Sequence, residues 1–183
     1  HFRLSENELS LISHETQKQY VNKLSQIFNN SNTDRELQKY VAKAKHTALQ
    51  NIKNCKDIQD FLLTDDEYNM LIDKSSYYKT LKNLIYKNKS NESVRAAIAT
   101  AKMDCLSKSS SVTSAVINGL QLTNDEYNLL DPDKQKTYSD KLKNIIYSTV
   151  LSNSVKKAAR NALNILTTSP SASKPVTLTS TEE

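Results

Sequence analysis

Leu4-Ser5-Glu6-Asn7-Glu8, Leu63-Thr64-Asp65-Asp66-Glu67 and Leu122-Thr123-Asn124-Asp125-Glu126 are three versions of one phrase, set 59 residues apart. Each has the form of a helix start. A Ser or Thr hydroxyl can accept from the backbone N–H three residues on, while the Glu at that position reaches back to the cap residue's own N–H. The acidic residues clustered there also suit the positive end of a helix dipole.

The residues downstream of each phrase repeat as well. Tyr20 leads Leu24, Ile27 and Phe28; Tyr77 leads Leu81, Leu84 and Ile85; Tyr138 leads Leu142, Ile145 and Ile146. Apolar residues at i, i+4, i+7 and i+8 form one stripe of an amphipathic helix. In the third copy the stripe comes after Asp131-Pro132-Asp133, which predicts an Asp cap with Pro132 at the first helical position. A third, small-sided helix comes next, on Leu37, Val41 and Ala44, on Val94, Ile98 and Ala101, and on Val155, Ala159 and Ala162. Its expected starts are a second Thr33-x-x-Glu36 box in the first copy and Ser90 and Ser152 in the others.

The reading is therefore all-α, three tandem three-helix repeats with about nine helices, forming a short solenoid or a compact bundle. Its boundaries are repeat 1 with its linker over 1–62, repeat 2 with its linker over 63–121, repeat 3 over 122–166, and a Ser/Thr/Pro-rich tail over 167–183. Segments 53–62 and 107–121 read as linkers, the second ending at Asn118-Gly119. The tail lacks the apolar content to build a core of its own. The stripes predict that Leu81, Leu84, Ile98, Leu142, Ile145 and Ala159 are buried.

Composition excludes much. A single Gly in 183 residues rules out a phosphate-cradling loop or a dinucleotide fingerprint, both of which need several residues able to take positive φ or approach a ligand closely. No apolar run reaches the roughly 18 residues of a membrane span. His1, His14 and His46 have no repeat equivalents and no ligand-spaced partners, so no metal site is expected. The acidic residues beside the caps are explained by capping, and no nucleophile elbow accompanies the serines. No catalytic residue, cofactor or small-molecule substrate is expected. Cys105 falls on the inner face of the third helix, as a buried thiol, and Cys55 falls in the first linker; a disulfide between them is left open.

Two features carry what function the sequence offers. The nine Tyr read chiefly as rings at the rim of the core, with hydroxyls reaching water or backbone; Tyr86 and Tyr147 are the best candidates to stack on a base. Lys82 and Lys143 are repeat-equivalent, as are Arg95 and Lys156, so these four form the candidate face for weak contact with phosphates or an acidic protein. The net charge of +5 is spread almost evenly over the copies, so any nucleic-acid contact is expected to be weak and non-specific. Lys outnumbers Arg 21 to 4, a bias that reads as the mark of an AT-rich source rather than of function and limits what the positive charge means. The chain opens on His1, which points to an excerpt or a processed product. The leading expectation is a non-enzymatic structural or interaction protein with protein partners, a processed component of an assembly such as a virus or phage particle. The rival is a secreted or surface-exposed microbial effector that holds a host protein on its repeat face, an option that a Cys55–Cys105 disulfide would favour. Both place the chain in a virion or outside the cell rather than in a cytoplasmic enzyme pool.

Overall fold

The computed structural model describes residues 3–167. Among them the fold is all-helical, with eleven α-helices and no strand. The first copy gives α1 (Glu6–Leu11), α2 (His14–Phe28) and α3 (Arg35–Gln50), followed by a 3-10 turn at Cys55–Asp57 and α4 (Ile58–Phe61). The second gives α5 (Asp65–Met70), α6 (Lys74–Lys87), α7 (Glu92–Ser107) and α8 (Ser114–Leu120). The third gives α9 (Asn124–Asn128), α10 (Pro132–Tyr147) and α11 (Asn153–Thr167). Of the tail expected over 167–183, Thr167 closes α11 and the remainder lies outside the described residues, as does His1.

All three capping boxes form, with both reciprocal hydrogen bonds present at Ser5/Glu8, Thr64/Glu67 and Thr123/Glu126. Asp131 caps α10 with Pro132 at its first turn, as expected. The third-helix starts differ by one residue in two copies. Asp34 rather than Thr33 accepts from Leu37 N–H at 2.8 Å, and Asn91 rather than Ser90 accepts from Val94 N–H at 3.1 Å. The Thr33 hydroxyl instead donates to the Ile27 carbonyl at 2.6 Å. In the third copy Ser152 does precede α11, and its carbonyl accepts from Lys156 N–H at 3.1 Å.

The two segments expected to be linkers are structured, which raises the count above nine. Ile58, Phe61 and Leu62 in one, and Val116, Ile117 and Leu120 in the other, are buried. Helix α4 packs on α2, α3 and α7, and α8 packs on α6, α7 and α11, so each ties its own copy to the third helix of the next. Four to seven residues are too few to show a 3.6-residue period, which is why neither segment announces a helix in the sequence.

All six positions expected to be buried are buried. The tyrosines go deeper than the rim in two copies. Tyr77 and Tyr138 are fully enclosed and Tyr20 is half-buried. Each hydroxyl accepts the backbone N–H of the residue ahead of its own capping box: Leu4 at 3.1 Å, Leu63 at 3.3 Å and Leu122 at 3.0 Å. A donor that would otherwise be left unmatched in the core is thereby satisfied, and the short first helix is latched to the second. The other end of the short helix is held from one register position too. Gln17 donates to the Leu9 carbonyl at 2.9 Å, Lys74 to that of Leu71 at 3.2 Å, and Gln135 to those of Tyr127 and Leu130 at 3.0 and 3.1 Å. These bonds satisfy carbonyls left without helical partners at a C-terminus.

Gly119 lies inside α8 without a positive φ, so it is not the turn residue its Asn-Gly context suggests. A Cβ there would overlap the Tyr78 ring at Cγ, Cδ2 and Cε2. That ring is pinned by a 2.6 Å hydrogen bond between the Tyr78 and Tyr68 hydroxyls. Helix propensity alone would make Gly119→Ala stabilising by about 1 kcal/mol. Overpacking is expected to win, with a net loss of about 1–3 kcal/mol in urea denaturation. The same substitution in a Tyr78→Ala background is expected to stabilise; a gain in the parent chain would show that the ring yields freely.

Candidate functional site: the seams between copies

The most distinctive chemistry lies where one copy meets the next. Lys45 of α3 reaches Glu67 of α5, with Nζ 2.8 and 3.1 Å from the two carboxylate oxygens and 3.0 Å from Ser25 Oγ. Lys102 of α7 reaches Glu126 of α9 at 2.8 Å and the Gln121 carbonyl at 3.3 Å. All four charged residues are buried. Glu67 and Glu126 are the capping-box glutamates, and each still accepts the N–H of its own cap residue, Thr64 at 2.9 Å and Thr123 at 2.8 Å. One carboxylate therefore starts its own helix and receives the lysine of the preceding copy.

Taking two charges out of water costs several kcal/mol per ion, which only close geometry and further hydrogen bonds offset. These pairs have both. Lys45 and Lys102 share one register position, counted from Leu37 and Val94, and that equivalence is visible in the sequence. At the same position α11 carries Leu163. In the first copy Glu8 is exposed, and no ion pair to it is present among the described residues.

The rest of each seam is less regular. His46 of α3 meets Thr80 of α6 at 3.0 Å and sits edge-on to Tyr77, with ring centroids 5.5 Å apart. Because the Thr80 hydroxyl donates to the Ser76 carbonyl at 3.0 Å, it accepts from His46, which places the imidazole proton on Nε2. Burial pushes the imidazole pKa down to about 4, against a smaller upward pull from Asp73. A lowered folded-state value favours the neutral ring. Its contribution is therefore complete above the ordinary value near 6.5 and is lost as pH falls from there through about 4. The expected loss across that window is about 3 kcal/mol. His46→Met, which copies the Met103 of the second repeat, is expected to flatten this part of the stability profile in chemical denaturation. An unchanged acid slope would place the titration elsewhere. At the second seam Lys141 of α10 donates to the Ser107 carbonyl at 2.7 Å, and desolvation lowers its pKa.

Each seam also opens a groove along the third helix, at repeat-equivalent positions. The first, of about 440 Å³, is lined by Arg3, Lys39 and Lys43 together with Glu6 and Asp73. The second, of about 670 Å³, runs along Ala96, Ala97 and Thr100 and carries Asp65, Asp104 and Asp131 with Lys134. Desolvation raises the Asp104 pKa, while hydrogen bonds to Lys134 hold that of Asp131 down. One geometry thus carries two unlike linings.

The candidate anion face is less uniform than its spacing suggests. Lys82 and Lys143 are exposed on α6 and α10, and Lys143 lies 3.7 Å from Asp140 one turn earlier. Arg95 is turned to Asp125 of the next copy at 3.8 Å, and Lys156 is half-buried on α11. Two of the four are therefore partly neutralised by acidic neighbours. Tyr86 and Tyr147 are both exposed, with Lys89 Nζ 4.2 Å above the Tyr86 ring. Both cysteines are free: Cys105 is buried with its thiol pKa raised by desolvation, and Cys55 faces Asn88 at 3.5 Å. Among the described residues no three His, Cys, Asp or Glu side chains converge in a metal-binding arrangement, and no helix is long and apolar enough to cross a membrane.

No protein-family model matches the chain, and no curated protein or solved structure is significantly similar to it.

Proposed function

We propose that the chain is a non-enzymatic interaction protein, three stacked helical modules that hold protein partners within a larger assembly. The observation that carries this reading is the recurrence of a buried lysine–glutamate pair from one copy to the next, Lys45–Glu67 and then Lys102–Glu126. In a linear stack each module contacts its neighbours, which gives an extended surface with equivalent grooves that can diverge to suit different segments of a partner. The helix packing fits this. Among the described residues every extensive helix–helix contact joins elements of one copy or of adjacent copies. The unlike linings of the two grooves support protein contact over a small-molecule role. The free thiols give no support to the secreted-effector alternative.

Crosslinking in native extract followed by mass spectrometry tests the proposal. Expected are protein crosslinks mapping to the grooves at Lys39, Lys43 and Lys134. Turnover of a small molecule by the purified chain, or the absence of any protein crosslink above control, would overturn it. For the cationic face, replacing Lys82, Arg95, Lys143 and Lys156 together by Gln is expected to reduce both a weak affinity for nucleic acid and its salt slope. Binding that survives moderate salt and discriminates between sequences would move a nucleic-acid role to the front.

A further inference from the structure

Counted by copy the positive charge is nearly even, but within the second copy it is gathered on one helix. Residues 74–91 hold five lysines, Lys74, Lys79, Lys82, Lys87 and Lys89, and no acidic residue. With those five set aside, 20 of the chain's 25 basic residues remain, against 20 acidic ones. The whole net charge of +5 is thus that of α6 and the turn after it. At the positions of Lys79, Lys82, Lys87 and Lys89 the first copy carries Asn22, Ser25, Asn30 and Asn32, and the third carries Asp140, Lys143, Ser148 and Val150. A bias in base composition acts on all three copies alike and does not account for four lysines in one.

Lys74 is turned inward, donating to the Leu71 carbonyl at 3.2 Å with Nζ 5.0 Å from the Tyr68 ring centroid. The other four are exposed, and among the described residues none of them forms an ion pair. Lys79, Lys82, Asn83, Tyr86 and Lys87 stand three or four residues apart along one side of α6, over about 12 Å of helix. Tyr86, between Lys82 and Lys89, is 70% exposed, and Lys89 Nζ lies 4.2 Å from its ring centroid.

The partner of such a face is anionic, and its chemistry narrows further. Lysine is depleted from protein–protein interfaces, which rest on buried aromatic, apolar and Arg anchors, and α6 exposes no aliphatic side chain. A helix lying on a membrane needs an apolar side to bury among the lipids. The apolar side of α6, on Tyr77, Leu81 and Leu84, is already in the core. Flexible ammonium groups around an open aromatic ring are instead the composition of a single-strand site, with charges to follow phosphates and a ring on which an unpaired base stacks.

We propose that the outer face of α6 binds single-stranded nucleic acid without sequence preference, Lys79, Lys82, Lys87 and Lys89 meeting phosphates and Tyr86 meeting a base. This adds a second surface to the protein-binding grooves. Binding there needs only α6, so it stands or falls independently of the lysine–glutamate seams.

Fluorescence anisotropy of a labelled oligothymidylate, about 20 nucleotides long, titrated with the full chain tests this. Log affinity is expected to fall with log salt at a slope of about −3, because each of four phosphate contacts on a single strand contributes about 0.7. Replacing Lys79, Lys82, Lys87 and Lys89 together by Gln is expected to remove nearly all of that slope and to weaken binding at low salt at least about tenfold. The set spread over three helices, Lys82, Arg95, Lys143 and Lys156, shares only Lys82 with this face and is expected to remove about a quarter of the slope. Tyr86→Leu is expected to weaken binding at least about fivefold and to leave the slope unchanged. All five side chains are exposed, so the variants are expected to melt with the parent. No parent binding at low salt, a four-lysine variant that binds like the parent, or a spread set that removes as much slope as the α6 set would each overturn the proposal. So would Tyr86→Leu without effect. Two competitions use the parent alone: polyglutamate or duplex DNA that displaces the probe as well as unlabelled oligothymidylate does would make the face a general anion contact and overturn the single-strand site.

Discussion

Lys102→Met is expected to destabilise the protein by about 3–5 kcal/mol, the cost of leaving one member of a buried ion pair alone. The partner left behind is Glu126, 2% exposed, with one carboxylate oxygen still held by Thr123 N–H at 2.8 Å and the other stripped of its lysine. Glu126→Gln is expected to cost a similar amount for the converse reason. Gln still completes a capping box, so the loss reports the orphaned ammonium rather than a broken helix start. The double variant Lys102→Met/Glu126→Gln is expected to recover most of either loss, since no uncompensated charge then remains in the seam. Urea denaturation of the four proteins gives the coupling directly. Single variants within about 1 kcal/mol of the parent would mean that water reaches the pair, and the seam would then be held by apolar contacts alone. In a nearest-neighbour stack this lesion should also separate the third copy from the first two, giving a biphasic transition.

That pair shows where sequence reading succeeds and where it stops. The capping boxes are legible because Ser/Thr and Glu at fixed spacing satisfy backbone groups locally, with no need to know what lies across the fold. The Tyr-led stripe is legible for the same reason: periodicity reports which face is inward. It does not report depth, and so spacing puts Tyr77 and Tyr138 at the rim when their hydroxyls in fact close a backbone bond at the centre. Lys45 and Lys102 stand in view at one register position, yet a lysine on a helix is ordinarily solvated. Only the third dimension brings the capping glutamate of the next copy against it. The sharper signal is negative: Leu163 breaks the lysine register in the third copy. Helices α4 and α8 escape because their order comes from packing against α7 and α11, residues remote in sequence. The candidate cationic face suffers similarly, since spacing places Arg95 on a face but cannot show Asp125 opposite it.

Leu142→Ala is expected to cost about 2–5 kcal/mol. The residue is fully buried on α10, a helix that packs on α7 of the preceding copy and on α11 of its own. Its equivalents Leu24 and Leu81 are enclosed to the same degree. Where a Leu→Ala change falls in that range depends on how far its surroundings collapse. Here the neighbours are pinned. Tyr138, one turn earlier, is latched to Leu122, and Lys141 is tied to Ser107 of the preceding copy. A helix tied down at Tyr138 and Lys141 is restrained from closing on the missing isopropyl group, which places the expected loss in the upper half of the range. For a chain of this size that corresponds to a midpoint lowered by roughly 5–20 °C in a thermal melt. Lys143→Ala, one residue along and exposed, is expected to stay within about 0.5 kcal/mol of the parent. If Leu142→Ala instead melts within about a degree of the parent, the Tyr-led stripe is not core, and the register that defines all three copies is wrong.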